Sequence, residues 1–173
     1  MRLSENDIDS LEYNVERRSG MKAETRKKWG KRALRISFVL YLIVLAYFLF
    51  FSERYGRTDI KSDYHYNLEP FKEIKRFIQY RSQLGWESFI VNIFGNVLAF
   101  APFGFFLPIV SSENRTFFGA TLYSFECSLC VELIQLTFQV GTFDVDDLIM
   151  NTVGGILGYL IFLTQKKKLK KYM

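Results

Sequence analysis

The segment from Ser88 to Val110, SFIVNIFGNVLAFAPFGFFLPIV, contains no charged residue. The hydrocarbon core of a bilayer is about 30 Å thick, and a helix needs about 20 mainly apolar residues to cross it. This segment is therefore long enough to span a membrane, which the core of a small soluble domain would not require. It predicts an integral membrane protein.

Three further segments are apolar over similar lengths, and they run from Ile36 to Phe51, which Ala33 and Leu34 extend, from Thr116 to about Gln139 and from Leu148 to Gln165. The third span of the four is interrupted only by Glu126 and Glu132. Of the 173 residues, 49% are hydrophobic and only 24% are charged, which excludes an intrinsically disordered chain. We predict an all-α, polytopic membrane protein built as a four-transmembrane-helix bundle.

Basic residues flank the first and the last span. Before the first span lie Arg17, Arg18, Lys22, Arg26, Lys27, Lys28, Lys31, Arg32 and Arg35, and after the last lie Lys166, Lys167, Lys168, Lys170 and Lys171. The positive-inside rule then predicts a cell-membrane protein with both termini cytoplasmic. The basic charge marks topology and predicts no nucleic-acid partner. The chain divides into a basic arm (1–32) with at most one weak amphipathic turn, a membrane domain (33–165) and a lysine-rich tail (166–173).

The outer loop between spans 1 and 2, about residues 52–87, holds a second pattern. Apolar residues recur there at helical spacing, at Phe71, Ile74, Phe77 and Ile78. This spacing predicts an extracellular amphipathic helix that lies in the membrane interface. Two interpretations remain open for it: a surface helix that packs over the bundle, or a lid that brings Lys72 or Arg76 over a site below. The same loop is itself basic at Arg54, Arg57 and Lys61, which runs against the orientation rule.

Polar side chains form one stripe on each of the last three spans: Asn92 and Asn96, then Glu132 and Gln135, then Asp147 and Asn151. With a rise of 1.5 Å per residue, all six lie at roughly 5 to 15 Å below the outer surface. Polar groups at such depth are costly and are functional by default. We expect Asp147 and Asn151 to face Glu132 and Asn96 across a polar pocket open to the outer leaflet. Two carboxylates so close cannot both be charged without a cation or a donor.

Three carboxylates, Asp144, Asp146 and Asp147, open the fourth helix. Asp144 suits an N-cap with support from its neighbours, and the group equally suits a divalent cation or the amine and hydroxyl groups of a ligand. The predicted ligand-binding set is therefore Asn92, Asn96, Glu132, Gln135, Asp144, Asp146, Asp147 and Asn151. The sequence identifies no catalytic residue, metal ligand or cofactor.

Two further patterns concern helix packing. Gly154 and Gly158 form a GxxxG motif, which indicates close helix contact within the bundle or a homodimer contact. Pro102 and Pro108 are expected to kink the second span or to end it early.

Four segments, in this order, resemble the VanZ-like family of small bacterial membrane proteins: NLEPF at Asn67–Phe71, NIFGNVLAFAPFGFFLP at Asn92–Pro108, ELIQL at Glu132–Leu136 and GTFDVDDLIMNTVGGILGY at Gly141–Tyr159. The resemblance implies a four-helix membrane domain and, from the founding member of the family, low-level resistance to the glycopeptide teicoplanin. In one departure, Thr142 stands where the family often has an arginine. Arg76 or Arg81 can supply that charge instead.

Two functions of different classes fit these observations. In the favoured one, the protein is not an enzyme, and its outer-leaflet pocket binds a membrane lipid through the lipid's head group. The lipid is a cell-envelope lipid, a glycolipid or a lipid-linked cell-wall precursor. Its binding alters the susceptibility of the cell to glycopeptides. In the alternative, it is a membrane-embedded enzyme acting on a lipid-linked envelope substrate, with Glu132 as general base and the aspartates holding a divalent metal. No nucleophile with an adjacent base is recognisable for it.

The topology gives a first testable prediction. Reporter domains fused after residue 20, near residue 65 and after residue 171 should read inside, outside and inside, because the basic arm and the tail both remain in the cytoplasm. An external signal from either terminus would contradict the four-span arrangement.

Overall fold

The structure is a computed structural model that describes residues 5–51, 66–80, 83, 85–111 and 116–170. Its elements, in chain order, are α1 (Glu5–Phe51), β1 (Tyr66–Asn67), α2 (Lys72–Gln79), α3 (Trp86–Val110), α4 (Phe117–Thr137), β2 (Phe143–Asp144) and α5 (Val145–Leu169). In this part of the chain, four helices are long and apolar enough to cross a membrane, namely α1, α3, α4 and α5. The predicted all-α polytopic fold is confirmed.

Some predicted features fall elsewhere. The following lie outside the described residues: Arg54, Arg57 and Lys61 of the outer loop, Arg81, the inner loop at 112–115 and Lys171.

Helix α1 is longer than the sequence pattern suggested. It begins at Glu5 and runs through 47 residues, so the basic arm and the first span form one continuous helix. The arm is rich in Glu, Lys and Arg, which favour helix, and Lys28 pairs with Glu24 one turn away at 2.9 Å. The expected arm with a single amphipathic turn is therefore wrong, because local helix propensity carries the helix through it.

Helix α3 continues through both of its prolines to Val110. The expectation that Pro102 or Pro108 ends this span early is wrong. Each proline removes one backbone donor, yet in lipid the remaining backbone groups have no water to bond, so a continued helix is the cheaper conformation.

Helices α3 and α5 pack with their backbones in contact. A Cβ atom on Gly158 would lie 1.8 Å from the carbonyl oxygen of Ala101, and one on Gly154 would lie 2.2 Å from that of Val97. On the other side of the contact, a Cβ atom on Gly104 would lie 1.8 Å from the carbonyl oxygen of Gly155. The GxxxG motif thus serves a contact within the chain. A homodimer contact through it stays a prediction, and it would require α3 to be displaced.

The buried core centres on α3, α4 and α5. Phe100, Ala120 and Phe162 are fully buried, whereas α1 is largely exposed and lies at the periphery. The hydroxyl of Tyr41 fixes α1 to the bundle by donating to the carbonyl oxygen of Ala99 at 2.7 Å. Leu45 is buried beside this bond.

Gly158→Ala should reduce the amount of folded protein in the membrane, because the added methyl group overlaps the Ala101 carbonyl and α5 must move away from α3. We expect a loss of about 1 to 3 kcal/mol in folding stability, measured by thermal unfolding in detergent. Gly20→Ala is the matched control, since nothing lies within 4 Å of that position. Equal stability of the two variants would contradict the tight contact.

Candidate functional site

One cavity of about 160 Å³ lies where α1 and α4 end and α3 and α5 begin. Its polar lining contains seven of the eight predicted ligand-binding residues: Asn92, Asn96, Glu132, Gln135, Asp144, Asp147 and Asn151. Apolar residues of α1 close one side, namely Leu45, Phe48 and Leu49. We call this space the inner cavity. Residues of all three polar stripes therefore line one cavity.

The contact between α3 and α5 aligns two of these stripes. Asn96 and Asp147 meet across it, and the Asn96 amide nitrogen donates to the Asp147 carboxylate at 2.5 Å. Glu132 and Asn151 border the same space. Asp147 and Asn151 thus face Asn96 and Glu132, as the sequence predicted.

Glu132 joins α4 to the start of α5. Its side chain is only 2% exposed, and its Oε2 atom accepts the backbone N–H of Asp144 at 3.0 Å. A carboxyl group buried among helices is costly unless it is hydrogen-bonded. This bond therefore fixes Glu132 at the wall of the cavity and holds the turn before α5 against α4.

Asn151 has an unsatisfied oxygen atom. The side chain is 2% exposed, and its amide nitrogen donates to the hydroxyl of Ser128 at 2.9 Å. Its Oδ1 atom is the one buried side-chain polar atom without a hydrogen-bond partner among the residues described. Leaving a buried acceptor unpaired costs about 1 to 3 kcal/mol. Because Asn151 lines the cavity, a donor placed there would remove this cost.

The side-chain amides of Gln135 and Asn96 also donate through their nitrogen atoms to protein groups. Gln135 donates to the carbonyl oxygen of Leu49 at 3.0 Å, in the same way that Asn96 donates to Asp147 and Asn151 to Ser128. Amide nitrogens are donors and amide oxygens are acceptors. One donor of each of these three amides is thus engaged by a protein group, and the carboxyl groups of Glu132, Asp144 and Asp147 add acceptors to the lining.

Asp144 is the N-cap of α5, as one interpretation predicted. Its carboxylate accepts the backbone N–H of Asp146 at 2.8 Å and the side-chain amide of Asn67 at 3.1 Å. Strands β1 and β2 pair in parallel, with Asn67 opposite Asp144, so the cap also holds the outer loop. Burial raises the pKa of the Asp144 carboxyl group above its ordinary value, and these two donors oppose the rise.

Asp146 does not line the inner cavity. It is fully buried, and its two carboxylate oxygens accept the backbone N–H groups of Phe71 and Ile74. These donors belong to the first turn of α2, where Phe71 adopts a left-handed conformation with φ 65°. Asp146 thus caps a helix that lies more than 70 residues away in the sequence, a role for which no sequence signal exists. Binding of a ligand by Asp146 stays a prediction.

Helix α2 roofs a second space of about 490 Å³, which we call the vestibule. Lys72, Glu73 and Arg76 line it from α2, and Asn92, Asp144 and Asp147 border both spaces. The lid interpretation of α2 agrees with this placement, since both cations lie over the site. Thr142 also lines the vestibule, so Arg76 stands near the position at which the family often has an arginine.

The cations of α2 are paired with neighbours on the same segment. Arg76 lies 2.7 Å from Glu73 and Lys72 lies 3.4 Å from Glu69. Burial raises the pKa of the Glu73 carboxyl group, the charge of Arg76 lowers it, and the carboxylates of Asp144 and Asp146 raise it further. Negative charge therefore accumulates where α2 meets the start of α5.

Ser128 is a site residue that the sequence reading missed. It is fully buried and hydrogen-bonded to Asn151. Its position four residues before Glu132 places it on the same helix face, so extending the polar stripe of α4 by one turn would have found it. By contrast, Glu126 is exposed on the other side of α4, in agreement with its omission from the predicted site.

No group of three His, Cys, Asp or Glu residues that could hold a metal ion occurs within the described ranges. The oxygen atoms around the inner cavity are instead distributed over amides and separate carboxyl groups.

Asp146→Asn should release α2, because an amide offers one acceptor oxygen to two backbone donors. Hydrogen exchange at residues 71–79 should accelerate by about 10-fold or more, which corresponds to the 1 to 3 kcal/mol of a lost buried hydrogen bond. Glu87→Gln, an exposed carboxylate in the first turn of α3, is the control. Unchanged exchange in the Asp146 variant would show that α2 is held by other contacts.

The comparisons with known proteins agree with this architecture. Residues 38–166 match the VanZ/LLP1 family. Protein VanZ of Enterococcus faecium is 30% identical to this chain over 145 residues, which cover 82% of the chain and 81% of that protein. No solved structure is significantly similar.

Proposed function

The chain belongs to the VanZ/LLP1 family, and from this premise we propose that its inner cavity binds the head group of a cell-envelope lipid or glycolipid at the outer leaflet of the membrane. Occupation of the cavity would lower susceptibility to glycopeptides such as teicoplanin. The protein acts by holding this head group and carries out no chemical step.

The unpaired Oδ1 atom of Asn151 is the observation that carries the proposal. An acceptor that is 2% exposed and has no protein partner in the described chain lowers its free energy when a bound molecule donates to it. Asn151 lines a cavity whose other polar groups are brought together from α3, α4 and the start of α5. Pockets with a few convergent polar groups are the usual form of ligand sites.

A lipid suits the position of the cavity better than a soluble molecule does. Phe48 lines the inner cavity and is also 50% exposed on the outside of the bundle. One apolar side chain therefore separates the polar site from the surrounding lipid. A head group can occupy the cavity while its acyl chains remain in the hydrocarbon region outside the bundle.

The vestibule provides the second support. It shares four lining residues with the inner cavity, namely Asn92, Thr142, Asp144 and Asp147, and it carries charged groups on its roof. A head group larger than the inner cavity can extend into this space. The orientation predicted from the basic termini places the vestibule at the outer surface, where the envelope is assembled.

Filling the inner cavity should abolish lipid retention. Ala99→Leu adds three carbon atoms to a residue that lines it, so a co-purified lipid present with the unaltered chain should be lost when the protein is extracted in native nanodiscs and its lipids are measured by mass spectrometry. In a teicoplanin-susceptible host, the same variant should return susceptibility to the level of cells that lack the protein.

Leu98→Phe is the matched control, since Leu98 is adjacent in sequence and 66% exposed on the lipid side of α3. It should retain both the lipid and the effect on susceptibility. A lipid composition identical to that of the bulk membrane for the unaltered chain and for Ala99→Leu would overturn the proposal.

A further inference from the structure

The inner cavity and the vestibule differ in charge. The inner cavity is lined by the carboxyl groups of Glu132, Asp144 and Asp147, and no lysine or arginine is among the described residues around it. The vestibule shares Asp144 and Asp147 with it and adds Glu73 together with the two cations of the site, Lys72 and Arg76, from its roof. A bound molecule therefore meets carboxyl groups and no cation at the inner end, whereas both cations that line the site lie at the outer end.

The hydrogen-bonding groups of the inner cavity also favour a positively charged group that donates hydrogen bonds. Asn96, Gln135 and Asn151 direct their amide nitrogens to protein acceptors, whereas the Oδ1 atom of Asn151 is unpaired. A phosphate group, which offers acceptors, would oppose this lining. A primary ammonium group offers three donors and a positive charge, and this charge favours the ionised form of the Glu132 and Asp147 carboxyl groups that line the same cavity.

The cations of the vestibule are available to an anion. The Lys72–Glu69 and Arg76–Glu73 pairs are formed by side chains of one segment, and Lys72, Glu69 and Arg76 are each more than half exposed. Exposed pairs of this kind contribute little to stability. A phosphate can displace one carboxylate partner, and arginine binds phosphate oxygens with two parallel donors.

Building on the proposed function, we infer that the ligand is a phosphate ester that ends in a primary amine. The ammonium group lies in the inner cavity between Glu132, Asp147 and the Oδ1 atom of Asn151, and the phosphate lies in the vestibule against Lys72 and Arg76. The inner cavity, at about 160 Å³, has room for a short aminoalkyl group, since one water occupies about 30 Å³ in the liquid.

The test measures retention of lipids with identical acyl chains by native mass spectrometry of the full chain. Phosphatidylethanolamine has both groups, phosphatidic acid lacks the amine, phosphatidylcholine lacks the N–H donors, and monoglucosyl diacylglycerol lacks the phosphate. Phosphatidylethanolamine should be retained at least about tenfold more strongly than each of the others, as expected for hydrogen bonds to charged groups. Free phosphoethanolamine at matched concentration separates the lipid source from a soluble one, and preferential binding of either molecule supports the inference.

Two pairs of variants locate the groups. Glu132→Gln should reduce retention of phosphatidylethanolamine to the level of phosphatidic acid, and Glu126→Gln, an exposed carboxyl group on the same helix, should leave it unchanged. The double substitution of Lys72 and Arg76 by alanine should weaken binding of both phospholipids. Lys75→Ala should not, because Lys75 is exposed on α2 and does not line the vestibule.

The outcomes separate the two proposals. Preferred retention of the glucosyl lipid or of phosphatidic acid would overturn the amine-phosphate inference and leave the lipid-binding function standing. Absence of any retained lipid, with no effect of Ala99→Leu, would overturn both. The comparison of the four lipids on the unaltered chain decides the inference even if a variant fails to fold.

Discussion

The contact between the backbones of α3 and α5 determines the rest of the structure. At Gly154 and Gly158 a side chain would overlap carbonyl oxygens of α3, so only glycine permits this separation. Without a hydrophobic driving force between helices in lipid, such close packing is a main source of association. It places Asp147 against Asn96 and fixes the depth at which the polar stripes of the two helices meet. The inner cavity is the space that remains between this pair, α4 and the end of α1.

A chain of hydrogen bonds connects the cavity to its roof. Glu132 accepts a hydrogen bond from the backbone N–H of Asp144. The side chain of Asp144 in turn accepts from the Asn67 amide and from the backbone N–H of Asp146. The side chain of Asp146 then accepts from the first turn of α2. None of the side chains of α2 is fully buried, so this short helix depends on these polar contacts for its position. A change in the hydrogen bonding of Glu132 is therefore transmitted through Asp144 and Asp146 to the first turn of α2.

The distribution of charge gives the site its chemical character. Carboxyl groups and an unpaired amide oxygen surround the inner cavity, and the two cations stand over the vestibule. Water is scarce inside a bilayer, so an unpaired polar group there costs more free energy than it would on the surface of a soluble protein. The arrangement favours a ligand that is positive at one end and negative at the other.

The sequence by itself determined the four spans, the amphipathic helix and seven residues of the inner cavity, because span length, helical periodicity and depth follow from spacing along one chain. It also identified Asp144 as a cap, which is a local interaction. Only the tertiary structure decided that Asp146 caps α2 and that α1 lines the cavity with Leu45, Phe48 and Leu49. It also decided that Asn151 bonds to Ser128 and leaves an acceptor unpaired. These features depend on which helix faces meet and on how the chain returns over the bundle, and periodicity within one helix carries no information about either.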